Sequence, residues 1–266
     1  TAEAGAQVSL EFQGVKNRTV VVTADAPAGS SVGDWRYMLT PSDIQAMGQG
    51  AVSFRAVSID DFGNSSPQSA SLGFSIDTSK PALDVPLIAG ANAINNLVFS
   101  NDAAPTLVVR AESGSTILVD WNADGIADQT RGASGTTQGF SLGSLADGNQ
   151  SVLVRAVDAA GNQSERQFGF ILDRSRPASE FANLSTDAKT LSVLFTEPIK
   201  LDQTTIQALA SAWGVTQGVN ATIGLLNPVS ATPDYARGLA VTKDAGFSIG
   251  ETLSFPQAIV RDAAGN

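Results

Sequence analysis

The sequence predicts an all-β protein built from three tandem β-sandwich modules. Short runs in which apolar and polar residues alternate recur along the chain, and clusters of Gly, Asn, Asp, Ser and Pro separate them. This alternation is typical of strands with one buried face, and the clusters supply the residues that turns require. The alternating runs are residues 8–12, 18–23, 51–59, 69–76, 106–110, 116–119, 151–157, 167–172 and 190–195.

A repeated acidic turn sets the number of modules. The pattern Asp-x-x-Gly-Asn follows an alternating run at residues 60–64, 158–162 and 262–266. Successive copies begin 98 and 104 residues apart, which is about the size of an immunoglobulin-like (Ig-like) sandwich. The expected architecture is therefore three Ig-like modules in series.

Two similar linkers place the module boundaries. Residues 77–81 and 173–177 both read Asp-x-Ser-basic-Pro, and each follows an alternating run. Because proline ends strands and stiffens linkers, we predict modules at 1–79, 80–176 and 177–266. The segment AEAG at 2–5 matches AESG at 111–114, so the first module is expected to lack its first strands. The third module is expected to lack its last strand.

Helical patterns are brief. One covers residues 42–47 behind a serine cap, and the other covers residues 202–213 with Asp202 as its cap. Both are expected to decorate connections between strands.

Composition limits the classes of function. Sixteen basic and 26 acidic residues give a net charge of −10, which disfavours nucleic acid and anionic membranes as partners and favours cations, although it also serves solubility. The chain has no Cys and no His, so disulfides, thiolate or imidazole metal sites and histidine catalysis are excluded. No nucleophile paired with a base is visible, and no apolar run reaches the length of a membrane span. We therefore expect neither an enzyme nor membrane insertion.

Three acidic residues are predicted to meet between the first and second modules. In an Ig-like module, the B–C turn and the F–G turn lie at the pole where the chain enters. Glu112 follows strand B of the second module, and Asp158 begins its F–G turn. The preceding linker brings Asp77 to the same pole.

The same reasoning applies to the other two modules. Asp173 of the second linker, Glu197 directly after strand 191–195, and Asp262 of the last turn are predicted to form an equivalent set. In the first module, Glu3 and Asp60 take two of the three places, and the linker that would complete the set precedes residue 1. That site is expected to be incomplete.

Calcium (Ca²⁺) suits such a set. Three neighbouring carboxylates repel one another, and calcium accepts six to eight oxygen ligands in flexible geometry, whereas magnesium demands a tighter octahedron. Asn162 and Asn266 are further candidates, each through an amide or backbone oxygen. The alternative is that Asp-x-x-Gly-Asn is a simple hairpin turn and the glutamates are solvated.

A different acidic motif occurs at residues 120–128, DWNADGIAD. It has the spacing of an EF-hand-type calcium loop, with candidate ligands Asp120, Asn122, Asp124 and Asp128. Arg131 stands where a bidentate carboxylate is expected, and no flanking helices are predicted. Asp124-Gly125 also favours a tight type I′ hairpin, which is the alternative.

Several of these motifs together resemble a known family. INN, NDAAPTL, AESGSTI, LADGNQSVLVRAVDAAGNQS and LDRSRP resemble the tandem bacterial Ig-like repeats of giant secreted adhesins. LSVLFTEPI and VRDAAGN are similar to the Ig-like domains of S-layer and other surface proteins. The linkers DTSKP and DRSRP depart from the family's more usual DTTAP. The resemblance implies an extended rod of modules, stiffened by calcium, on a bacterial surface or in a secreted protein.

Two functions follow as expectations. One is a structural and adhesive extracellular array whose partners are neighbouring Ig-like modules of the same protein. The other is a self-assembling filament or S-layer subunit, in which open sheet edges accept strands from other copies.

Overall fold

A computed structural model describes residues 2–14, 16–94, 96–122, 124–214, 221–228, 234–255 and 259–266. Strands dominate these ranges, so the predicted all-β sandwich class is confirmed, and each of the nine alternating runs overlaps a strand. Neither helix in these ranges has the length and apolar character needed to cross a membrane. The chain divides into two compact units, Thr1–Lys80 with Asp158–Asn162 and Pro81–Val157 with Gln163–Asn266. The three module boundaries stay a prediction.

The first unit is organised on a four-stranded sheet. Its elements are β1 (Ala2–Glu3), β2 (Gln7–Gln13), β3 (Arg18–Thr23), β4 (Val32–Gly33), α1 (Pro41–Met47), β5 (Gly50–Ile59) and β6 (Leu72–Ile76). The antiparallel sheet has the order β3-β2-β5-β6, and β1 pairs with β4. Val8, Leu10 and Phe12 of β2 are buried because alternate side chains of a strand point to the same face. They form a core with Met47 and Val52.

Helix α1 begins behind a threonine. The Thr40 hydroxyl accepts a hydrogen bond from the Asp43 N–H (3.2 Å), and the Asp43 carboxylate accepts one from the Thr40 N–H (2.8 Å). Pro41 suits the first helical position because its ring fixes φ where no N–H donor is needed. The predicted serine cap is therefore wrong, and the N-cap is Thr40.

Asp43 is also the centre of a buried polar network. It is 0% exposed, pairs with Arg18 and accepts a hydrogen bond from the Tyr37 hydroxyl. The hydrogen bond from Tyr37, followed by those from Thr40 and the Arg18 charge, lowers the Asp43 pKa to about 2 against the opposing effect of burial. The ionised carboxylate thus fixes α1 against β3.

The second unit begins with two sheets that share one core. Its first strands are β7 (Leu87–Ile88), β8 (Asn92–Ile94), β9 (Leu97–Ser100), β10 (Thr106–Val109), β11 (Thr116–Asp120), β12 (Gln129–Gly132), β13 (Gln138–Ser141), β14 (Gly148–Val157) and β15 (Gln163–Leu172). One sheet has the order β13-β10-β7, and the other has the order β12-β11-β14-β15-β9-β8. The core between them includes Leu107, Ile117, Phe140 and Val154, each 0% exposed. Residues 81–172 thus form a sandwich.

The rest of the second unit is a smaller sheet with one helix. Its elements are β16 (Ser179–Leu184), β17 (Thr190–Lys200), α2 (Gln203–Ala212), β18 (Ala221–Pro228) and β19 (Tyr235–Lys243), and the antiparallel order is β16-β17-β19-β18. Phe195, Ile199 and Leu209 are buried in its core. The predicted Asp202 cap of α2 is confirmed, because its carboxylate accepts a hydrogen bond from the Thr205 N–H (2.8 Å).

Candidate metal centre

The three acidic turns share one hydrogen-bond pattern. In each, an oxygen of the aspartate carboxylate accepts the backbone N–H of the asparagine four residues later, at 2.8, 2.9 and 3.0 Å along the chain. The asparagine amide donates to the other carboxylate oxygen, at 2.7, 2.8 and 3.0 Å. The glycine before the asparagine has a positive φ of 86°, 90° or 93°, which glycine adopts without strain. The motif therefore encodes one turn with a fixed carboxylate.

These hydrogen bonds favour the charged form of the aspartate. The side-chain amide of Asn64 lowers the pKa of Asp60, and that of Asn162 lowers the pKa of Asp158, with further help from backbone N–H groups of the same turns. The turns at residues 60–64 and 158–162 thus present ionised carboxylates at neutral pH.

The linkers also repeat one local geometry. Asp77 accepts a hydrogen bond from the Ser79 N–H and Asp173 accepts one from the Ser175 N–H, both at 2.9 Å. The second linker is anchored to β9, because the Asp173 N–H donates to the Ser100 carbonyl at 2.9 Å. This anchor fixes where Asp173 leaves the sandwich.

Asp173, Glu197 and Asp262 come together in the second unit. One oxygen from each carboxylate lies within 4.8 Å of the others. They come from the linker, from β17 and from the last acidic turn. A β-bridge between Ile199 and Asp262 holds that turn beside β17. Asp262 is only 2% exposed, and the other two carboxylates are partly buried.

The environment of Glu197 raises its pKa to about 7. The largest cause is burial, followed by the negative charges of Asp262 and Asp173 and a side-chain hydrogen bond with Asp173. A desolvated carboxyl group among like charges retains its proton because ionisation adds repulsion. A cation would relieve that repulsion, and all three groups offer the hard oxygen atoms that calcium binds.

The sequence suggested that Glu197 lies directly after a strand. The structure places it within one. β17 continues to Lys200, and its pairing with β19 shifts register between Leu194 and Ile199. Because Leu194 pairs with Gly238 and Ile199 pairs with Ala236, β17 has more residues than β19 over this stretch, and such an irregularity leaves residues unpaired and redirects their side chains. It also accommodates Pro198, which has no N–H to give to a sheet.

Glu112 and Thr196 have equivalent backbone partners after the two linkers. The Glu112 N–H donates to the Ala82 carbonyl (2.9 Å), and the Thr196 N–H donates to the equivalent Ala178 carbonyl (2.8 Å). The side chains of Glu112 and Thr196 make equivalent contacts as well. The Ala82 N–H donates to a Glu112 carboxylate oxygen (2.9 Å), and the Ala178 N–H donates to the Thr196 hydroxyl (3.1 Å). Glu112 therefore binds the backbone of its own module, and its convergence with Asp77 and Asp158 stays a prediction.

In the first unit, Glu3 and Asp60 line one small cavity. Its volume is about 140 Å³, and Ala4, Ala6, Asp61 and Phe62 complete its lining. The Ala6 N–H closes the turn at Glu3 by donating to the Glu3 carbonyl (3.1 Å). The Ser115 N–H closes the turn at Glu112 in the same way, by donating to the Glu112 carbonyl (3.2 Å). The structure therefore brings the two predicted acids of the first module to one place.

Residues 120–122 and 124–128 are held together by their own polar groups. Asp120 accepts from the Gly125 N–H (3.0 Å), Asp124 from the Ile126 N–H (2.7 Å) and Asp128 from the Trp121 N–H (2.8 Å), while Asn122 donates to Asp124 and Asp128. Because Val119 pairs with Gln129, the alternative of a tight two-residue hairpin is wrong. A metal in this loop stays a prediction.

Comparison with known proteins identifies part of the chain. Residues 82–174 match the family model of the bacterial Ig-like domain. This segment is similar to a bacterial Ig-like domain. Such domains are structural modules without catalytic activity, in agreement with the prediction that the chain is not an enzyme. No curated protein sequence matches the chain.

Several solved structures have partial likeness to the chain. They include a BSP domain of a biofilm-associated protein, with 21% identity over 65% of this chain and a TM-score of 0.26. A 1.5-MDa bacterial ice-binding adhesin has 16% identity over 76% of this chain and 70% of its own, with a TM-score of 0.29. Fibronectin(III)-like modules of Clostridium thermocellum CbhA have 13% identity over 65% of this chain and 88% of their own, with a TM-score of 0.31. The chain spans only 26% of the length of the first of these structures.

Proposed function

We propose that this chain is a length of an extracellular, adhesive array of Ig-like modules from a bacterial surface protein, in which calcium stiffens the module junctions. The observation that carries the calcium proposal is the meeting of Asp173, Glu197 and Asp262 within 4.8 Å. The bacterial Ig-like domain at residues 82–174 and the repeated acidic turns support the surface location and the serial arrangement.

The origin of the three ligands explains how calcium would act. Asp173 opens the second linker, and Glu197 and Asp262 belong to the sheet and the turn that follow it in the chain. An ion that binds all three ties the linker to the next module and removes their mutual repulsion. Because the ion binds only the folded junction, it stabilises that junction by about 2.7 kcal/mol at a free concentration 100 times Kd.

The proposal is tested by calcium titration of the protein after treatment with EDTA. Isothermal titration calorimetry should show binding to the wild type, and Glu197→Gln should weaken it by more than about tenfold because a charged ligand is lost. Glu180→Gln is the matched control, since Glu180 is exposed and, among the described residues, pairs with Arg237 at the surface. Absence of calcium binding in the wild type would refute the proposed role.

A second candidate is self-assembly by strand addition. β16 is an edge strand, all six of its residues are exposed, and they include Phe181 (57%) and Leu184 (44%). An exposed apolar edge strand is a template for pairing with another chain. Light scattering should then show a mass that rises with concentration, and Phe181→Lys should abolish the rise. A constant monomer mass would remove this candidate.

A further inference from the structure

The asparagine that ends an acidic turn reaches beyond its turn. The side-chain amide of Asn266 donates to the backbone carbonyl of Asp173 at 2.7 Å, as well as to the Asp262 carboxylate at 3.0 Å. Asn162 repeats this arrangement, donating to the Asp77 carbonyl at 3.1 Å and to the Asp158 carboxylate at 2.8 Å. In both cases the carbonyl belongs to the aspartate that opens a linker.

Asparagine is suited to this double role. Its amide group carries two N–H donors, so one can hold the turn while the other binds the linker. Aspartate would supply no donor at neutral pH and would add a fourth negative charge beside Asp173, Glu197 and Asp262. Serine has one donor and therefore could not make both bonds.

The first acidic turn provides an internal comparison. Asn64 donates to the Asp60 carboxylate at 2.7 Å, and within the described residues its hydrogen bonds stay inside that turn. The turn keeps its shape nonetheless, with a Gly63 φ of 86°. The bond to a linker carbonyl is therefore separable from the folding of the turn itself.

We infer that Asn266 and Asn162 are positioning residues that latch the incoming linker to the acidic turn before any cation binds. At the second linker, the latch holds Asp173 beside Asp262, so part of the geometry needed by calcium exists in the metal-free protein. This consequence for calcium rests on the proposed function, whereas the latch itself does not. A latch worth one ordinary hydrogen bond raises the population of the binding-competent junction by up to about fivefold.

The test compares Asn266→Ala and Asn162→Ala with Asn64→Ala, which loses the same bond within the turn but no bond to a linker. Hydrogen exchange in EDTA reports the latch directly. Exchange at the Ser175 and Ala178 amides should be several-fold faster in Asn266→Ala, and exchange at the Ser79 amide should be faster in Asn162→Ala. Calorimetry should show calcium affinity about fivefold weaker in Asn266→Ala and unchanged in Asn64→Ala.

The outcomes separate the latch from the proposed function. If linker amides exchange as slowly in Asn266→Ala and Asn162→Ala as in Asn64→Ala, the latch is overturned even where the wild type binds calcium. If the wild type binds no calcium but the linker amides exchange faster in the first two variants, the latch stands and the calcium role fails.

Discussion

Glu197→Gln should change stability in opposite directions with and without calcium. In the metal-free protein, the variant removes a carboxylate that is partly buried beside Asp173 and Asp262. In the calcium-bound protein, it removes a charged ligand. We therefore expect the third module of the variant to be more stable than wild type in EDTA and less stable than wild type in saturating calcium.

The magnitude follows from the pKa of Glu197, which rises from an ordinary 4.5 to about 7. At about 1.4 kcal/mol per pH unit, ionising the folded carboxyl group costs about 3 kcal/mol, and partial exposure reduces this to about 2 kcal/mol. Because the folded state holds the proton more tightly, metal-free stability falls as pH rises from 4.5 to about 7. The gain from Glu197→Gln should therefore be largest above pH 7 and absent below pH 4.5.

The assay is urea unfolding followed through the fluorescence of Trp213, which packs against the core around Leu209 and whose indole N–H donates to the Ser254 carbonyl. Trp35→Phe and Trp121→Phe would isolate that signal, and Glu180→Gln would again serve as control. The reasoning is refuted if Glu197→Gln is no more stable than its parent in EDTA at pH 8, or if calcium stabilises both proteins equally.

Two further predictions concern stability away from the metal centre. Asp43→Asn should lower the unfolding free energy of the first unit by about 2 kcal/mol at pH 7, because the ionised carboxylate has a pKa of about 2 when folded and 3.8 otherwise. This loss should shrink as pH falls from 3.8 to about 2, which urea unfolding at several pH values would measure. A loss of stability that does not change with pH would contradict this prediction. Asp202→Ala should destabilise the third module by about 1 kcal/mol through loss of the α2 cap, whereas an unchanged urea midpoint would show that the cap contributes nothing.

Strands with one buried face were predictable because apolar and polar residues alternate along them in the sequence. β2 is such a strand, with Val8, Leu10 and Phe12 on one side. β16 was missed because all six of its residues are exposed, so burial imposes no pattern on it. β7 spans only Leu87–Ile88, which is too short for any period to be read.

The parts of the candidate site that belong to repeated motifs were predictable from the sequence. The recurring turn and linker bring Asp262 and Asp173 to the same place as expected, and Glu197 joins them. The sequence did not reveal that Thr196 has the backbone position equivalent to that of Glu112, because only the hydrogen bonds to the linkers show it.

The role of the asparagines was not predictable from residue type. An asparagine offers both an oxygen and a nitrogen, and only the fold shows which one faces the linker. In the structure, the side-chain nitrogen of Asn266 donates hydrogen bonds to the Asp173 carbonyl and the Asp262 carboxylate. Its side-chain oxygen is therefore the amide atom available to a metal. The recurrence of Asn-after-Gly in all three turns was the available signal.

Anomalous X-ray scattering from crystals grown with calcium tests the central claim most directly. The account predicts an anomalous peak among Asp173, Glu197 and Asp262, with an oxygen of each carboxylate about 2.3–2.6 Å from the ion. A structure at saturating calcium with no peak at this position, and with the three carboxylates apart, would contradict it.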